Sequence, residues 1–101
     1  MKKVIEGRRY DSDTAHKICE IWESGPGDFR HLDCALYQGK RSKSFFLAGF
    51  GGAMTLFSHK TSDGSYTGNT DIIPLSVKQA RQYCERYAND QVEKFFEIEE
   101  A

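Results

Sequence analysis

The pattern His-x-x-Cys occurs twice, as His16-Lys17-Ile18-Cys19 and His31-Leu32-Asp33-Cys34. Two imidazoles and two thiolates are the donor set of a tetrahedral zinc site. The spacing argues against that use. Periodicity around His16 predicts a helix, where residues three apart share a face, but alternation around His31 predicts a strand, where residues three apart point to opposite sides. The second pair therefore diverges, and Cys19 and Cys34 read as small core residues between helix and sheet. The same divergence weakens a Cys34–His31 nucleophile and base, which must lie within hydrogen-bond reach. Cys84 falls on the apolar stripe of a predicted helix, where a buried thiol is inert.

Other chemical patterns are weaker. Gly49-Phe50-Gly51-Gly52 lacks the spacing and lysine of a phosphate-binding loop, and a bend or bulge between strands explains its glycines. Asp11 and Asp13 stand where a helix start favours negative charge, and Glu99 and Glu100 lie in an acidic tail. Neither pair has the contrasting surroundings that separate an acid from a base. No catalytic centre, cofactor motif or metal site is expected.

The positive residues are more suggestive. Residues 38–60 hold Lys40, Arg41, Lys43 and Lys60 without one acid, whereas Glu93, Glu97, Glu99 and Glu100 gather near the end. With Arg30, Tyr37, Phe45 and Phe50 nearby, the basic stretch can contact phosphates and stack bases. It can equally be a solvated turn guarding an edge strand. Tyr37 and Tyr66 offer aromatic anchors for a protein partner. The candidate partner-binding residues are thus Lys40, Arg41, Lys43, Tyr37, Lys60 and Tyr66, on a surface polarised between basic turn and acidic tail.

These residues need a scaffold, and the length of 101 residues fits one domain with one core. Hydrophobic residues make up 39% and charged residues 29%, a globular balance, and a net charge of −1 excludes both a broadly basic nucleic-acid binder and a uniformly acidic DNA mimic. No apolar run is long enough to span a membrane, and Met1-Lys2-Lys3 is not followed by a signal-peptide stretch. An odd count of 3 cysteines without a C-x-x-C pair disfavours a disulfide framework. A reducing cytoplasm is expected.

The elements follow from pattern. Lys3 to Tyr10 reads as a strand or strand-turn interrupted by Gly7. Asp11 to Thr14 supplies capping oxygens, and Ala15, Ile18, Cys19 and Trp22 recur at helical spacing, predicting a helix over 12–23 that Ser24-Gly25-Pro26-Gly27 stops. Leu32, Cys34 and Leu36 alternate as a half-buried strand. A hairpin over 38–43 with a basic tip leads to an aromatic strand over 44–50, and a further strand is expected over 53–57. Residues 58–71 read as a long exposed loop. Pro74 keeps Ile73 extended, Ser76 caps a last helix, and Val77, Ala80, Cys84, Tyr87 and Ala88 form its stripe, with Asp90 and Glu93 as a second capping box. The result is an α+β domain over 1–101: an antiparallel sheet of three to four strands packed against an N-terminal helix and a C-terminal helix.

Beyond these patterns, the opening Lys2-Lys3-Val4-Ile5-Glu6-Gly7, Tyr10-Asp11, Asp13-Thr14-Ala15, Ala35-Leu36-Tyr37, Phe46-Leu47 with Gly49 and Gly51-Gly52, and Ile72-Ile73-Pro74-Leu75-Ser76 with Ala80 resemble a group of short bacterial proteins. That group is carried on plasmids, phages and conjugative elements, a setting that includes anti-CRISPR proteins. The resemblance implies a non-enzymatic inhibitor that binds a CRISPR effector complex or its recruited nuclease in the host cytoplasm. It supplies no catalytic residues, and the His-x-x-Cys pairs are no part of it. The alternatives are a small nucleic-acid-binding accessory protein using the basic hairpin, and a zinc-binding domain.

Overall fold

The alternation of Leu32, Cys34 and Leu36 sets the centre of the molecule. The computed structural model describes residues 1–101. Strand β4 (Leu32–Gln38) is an inner strand of a four-stranded antiparallel sheet, between β3 (His16–Glu23) and β5 (Phe45–Gly51). β8 (Asn69–Leu75) completes it on the far side of β5. Two hairpins flank the sheet: β1 (Lys2–Ile5) with β2 (Arg8–Asp11), and β6 (His59–Lys60) with β7 (Tyr66–Thr67). Helix α1 (Val77–Tyr87), a 3-10 turn (Asn89–Gln91) and the short helix α2 (Val92–Phe95) follow.

One face of the sheet carries the main core. Ile21, Cys34, Leu36, Phe45 and Leu47 pack against Ala80 and Cys84 of α1 and against Val92 and Phe96. Phe45 and Phe96 stack with centroids 4.8 Å apart. Ser76 starts α1 with a capping box, its side chain accepting from the Gln79 N–H while Gln79 returns a bond to the Ser76 N–H. Val77 of the expected stripe is exposed, and the chain breaks after Ala88 as expected but without a side-chain cap.

The opposite face is only half covered. Glu6 and Gly7 take positive φ, as a tight two-residue hairpin turn requires, and fold β1 back on β2. Ile5 and Tyr10 of this hairpin lie on Phe46, Ala48 and Ile72. Lys3 pairs with Asp71 at 2.8 Å and Arg8 reaches Ser44, fixing the hairpin across the sheet.

Three expectations are corrected. Residues 12–23 do not form an N-terminal helix: both helices are C-terminal, and residues 16–23 form edge strand β3. Ile18 is skipped in the pairing of β3 with β4, which runs from Lys17–Tyr37 to Cys19–Leu36. This bulge adds one residue and puts Ile18 and Ile21 in the same core, mimicking helical spacing. Residues 53–57 form turns, so the fourth sheet strand is β8. Residues 58–71 are not a bare loop but hold the β6–β7 hairpin and the start of β8.

Candidate nucleic-acid interface

The β4–β5 turn carries Lys40, Arg41 and Lys43 in exposed positions, Lys43 at φ 60°. The β1–β2 hairpin brings Arg8 and Arg9 to the same end. Arg8 Nη1 donates to Ser44 Oγ at 2.9 Å. Arg9, Tyr10, Thr14, Lys40, Arg41 and Ser42 line a cleft of about 330 Å³. Guanidinium forks and hydroxyls around a small opening suit phosphate oxygens, because each offers donors without an opposing acceptor charge. Asp11 is the one carboxylate in the lining, and its Oδ1 already accepts the Asp13 N–H at 2.9 Å.

Beneath the cations lies a packed aromatic group. Tyr37 stacks on Phe46 at 5.3 Å and 15°, and Tyr10 meets Phe46 edge-on at 5.5 Å. Tyr37 thus belongs to the basic end, with one ring face already used. Lys43 also lines a groove of about 880 Å³ with Glu97 and Glu99. The acidic tail therefore lies beside the basic turn, not across the molecule from it. No ion pair joins them. Arg9, Lys40 and Arg41 line the other cleft, which includes neither of those glutamates.

Lys60 and Tyr66 are placed elsewhere. They pair with each other across the β6–β7 hairpin, which precedes β8 where Gly51 meets Asn69. The basic turn joins the other ends of β4 and β5, so a strand length of roughly 20 Å separates the two groups. The six residues expected from sequence form two clusters, and Arg8 and Arg9, not among them, belong to the larger. An adjacent arginine pair after Gly7 was the available signal.

The cysteine and histidine pattern does not assemble. No group of three or more His, Cys, Asp or Glu side chains converges in metal-holding geometry. His16 is exposed at the start of β3, whereas His31 is 5% exposed and its Nδ1 faces the carbonyl oxygens of Glu23 at 3.1 Å and Ser24 at 3.3 Å. Two carbonyl acceptors require Nδ1 to carry a proton, which removes it as a ligand atom. Burial pushes the Cys19 thiol up to about 11 and Cys34 to about 12, away from the reactive thiolate.

A second cleft of about 580 Å³ at the other end is lined by Leu32, Met54, Leu56, Phe57 and Tyr83 with Glu23, Arg86 and Tyr87. Glu23 Oε1 accepts from Arg86 Nη2 and the Tyr87 hydroxyl, each at 2.7 Å. The Tyr87 bond and the Arg86 charge hold the Glu23 carboxyl below its ordinary range, and burial followed by the hydrogen bond to Glu23 pushes Tyr87 up to about 12. The group is a closed tie between β3 and α1. It holds a carboxylate that stays ionised and a phenol that stays protonated, so neither exchanges a proton near neutral pH.

Comparison of the chain with protein-family models, with characterised proteins and with solved structures returns no match.

Proposed function

We propose that this protein acts by binding, without turnover, and that it holds the phosphates of a nucleic acid at its basic end. One observation carries the reading: Arg8 and Arg9, distant in sequence, are packed against the turn bearing Lys40, Arg41 and Lys43, with Arg9, Lys40 and Arg41 around one cleft. A chain of net charge −1 gains nothing from its overall charge, so local concentration of cations is what attracts a polyanion. Near-neutral charge also limits affinity, which suits an accessory protein acting at high local concentration. The setting proposed is the bacterial cytoplasm, where the free thiols of Cys19, Cys34 and Cys84 stay reduced. No helix is long and apolar enough to cross a membrane.

The test is anisotropy of a labelled oligonucleotide titrated with the protein across a salt series. Arg9→Ala, Lys40→Ala and Arg41→Ala together should abolish most binding and flatten the dependence on salt. Unchanged affinity in that triple variant would remove the reading.

The anti-CRISPR inhibitor reading is a second proposal. It is supported by the resemblance to mobile-element proteins and by exposed apolar side chains, Met54 and Leu56 beside the second cleft, of the kind that anchor protein interfaces. It requires co-elution with a CRISPR effector complex and suppression of its DNA binding or cleavage. Inactivity against a panel of type I and type II effectors would sink it.

A further inference from the structure

We propose that the uncovered half of the sheet is a stacking platform for the unpaired bases of a single-stranded nucleic acid, with Trp22 and Phe50 as its two rings. This deepens the nucleic-acid reading and rests on it.

The register places the rings. Trp22 of β3 pairs with Asp33 of β4, Asp33 with Phe50 of β5, and Phe50 with Thr70 of β8. Directly opposed residues share a face, and this row lies on the face away from α1. The β1–β2 hairpin covers that face only over Phe46, Ala48 and Ile72. The Trp22 row lies beyond it and faces outward, Trp22 being 59% exposed and Phe50 37% exposed.

Both rings are held before any ligand arrives. His31 fills the space between them, edge-on to Trp22 at 4.7 Å and 77° and tilted to Phe50 at 6.0 Å and 44°. Its Nδ1, bound to the Glu23 and Ser24 carbonyls, fixes the wedge. Phe50 lies over Gly68, where an added Cβ would come within 2.7 Å of the ring, so glycine there leaves the phenyl its place. A fixed aromatic loses little side-chain freedom on binding.

The surroundings select bases over phosphates. Asp33 is exposed between the rings and acts only as an acceptor, which repels phosphate but takes an N–H from a base edge. Phosphate contacts fall to the basic turn, roughly 20 Å away along β4. One strand engaging both sites must expose its base faces, which a duplex keeps stacked inside.

Trp22 is the only tryptophan, so its own emission reports the contact. The intact protein is titrated with an unlabelled mixed-sequence single strand of about a dozen nucleotides and with the matching duplex. Saturable quenching of Trp22 by the single strand, in step with anisotropy, is expected, with weaker binding and no quenching by the duplex. Trp22→Ala and Phe50→Ala should each weaken single-strand binding roughly tenfold while leaving the salt slope unchanged, and Trp22→Phe should restore most of the affinity. Thermal melts confirm that these surface variants fold. Salt-sensitive binding without quenching, or equal affinity for duplex, would overturn the platform and leave the basic end standing. No binding to either nucleic acid would overturn both. Quenching of Trp22 by a nucleic-acid-free effector protein, with none by the oligonucleotide, would give the platform to a protein partner and defeat the proposal.

Discussion

Arg8 donates to Ser44 at 2.9 Å across 36 positions of sequence, and this bond ties the β1–β2 hairpin to the basic turn. Two roles can be separated by mutation. Ser44→Ala removes the tie but keeps the charge, so affinity for a single strand should fall by no more than a few fold with an unchanged salt slope. Arg8→Ala also removes a cation, and the slope of log K against log salt should drop by roughly 0.7. Anisotropy between about 50 and about 200 mM salt measures both. Equal slopes in the two variants would take Arg8 out of the phosphate-binding set.

Gly49 has φ 143° in the middle of β5, and a Cβ there would lie 2.5 Å from the Asp33 carbonyl oxygen and 2.6 Å from Cys34 Cα. Backbone cannot yield as a flexible side chain does. Gly49→Ala therefore meets both a disfavoured angle and a clash in the central pair β4–β5, and should cost at least about 2 kcal/mol. Urea denaturation measures this against Gly25→Ala, where a Cβ meets nothing within 4 Å.

What could be read from sequence was what is local. The alternation of Leu32, Cys34 and Leu36, the glycine-containing turn after Gln38 and the Ser76 cap each act within a few residues, and the structure keeps all three. Residues 16–23 misled because the extra residue Ile18 converts a strand's period of two into a spacing that fits a helix. Helical spacing sets Trp22 in line with Ile18, which gives no sign of its exposure on the opposite face with Phe50. The basic turn was legible, but Arg8 and Arg9 join it only when one hairpin folds across the sheet. No local pattern encodes that packing.

The thiols give a direct test of the core. Burial raises Cys19 to about 11, with the nearby Cys84 adding to it, and raises Cys34 to about 12, helped by Asp33 and Cys19. Cys84 is raised too, chiefly by burial. Unfolded thiols ionise near about 8.5, so alkylation of the native protein at pH 8 should be slow, and all 3 cysteines should react quickly in denaturant. Rapid labelling of the folded protein at that pH would contradict the packing of β3 and β4 against α1.

Acid should weaken the fold through two carboxylates. Glu23 is held below its ordinary value by the Tyr87 hydroxyl and then by Arg86. Burial pushes Asp71 up, but the Lys3 ammonium at 2.8 Å and the Ile72 N–H outweigh it, leaving that carboxyl lowered as well. A group whose folded pKa is depressed stabilises the fold fully above its unfolded pKa, about 4.3 for Glu and about 3.9 for Asp. That stability disappears as pH falls through the lower folded values. The melting temperature should thus hold steady through neutral pH down to about 5 and decline below the carboxylate range. Glu23→Gln keeps an acceptor for Tyr87 but cannot titrate, so its decline with acid should be shallower than that of the parent. Circular dichroism melts across the series decide the point: parallel curves for parent and variant would show that Glu23 carries none of the acid sensitivity.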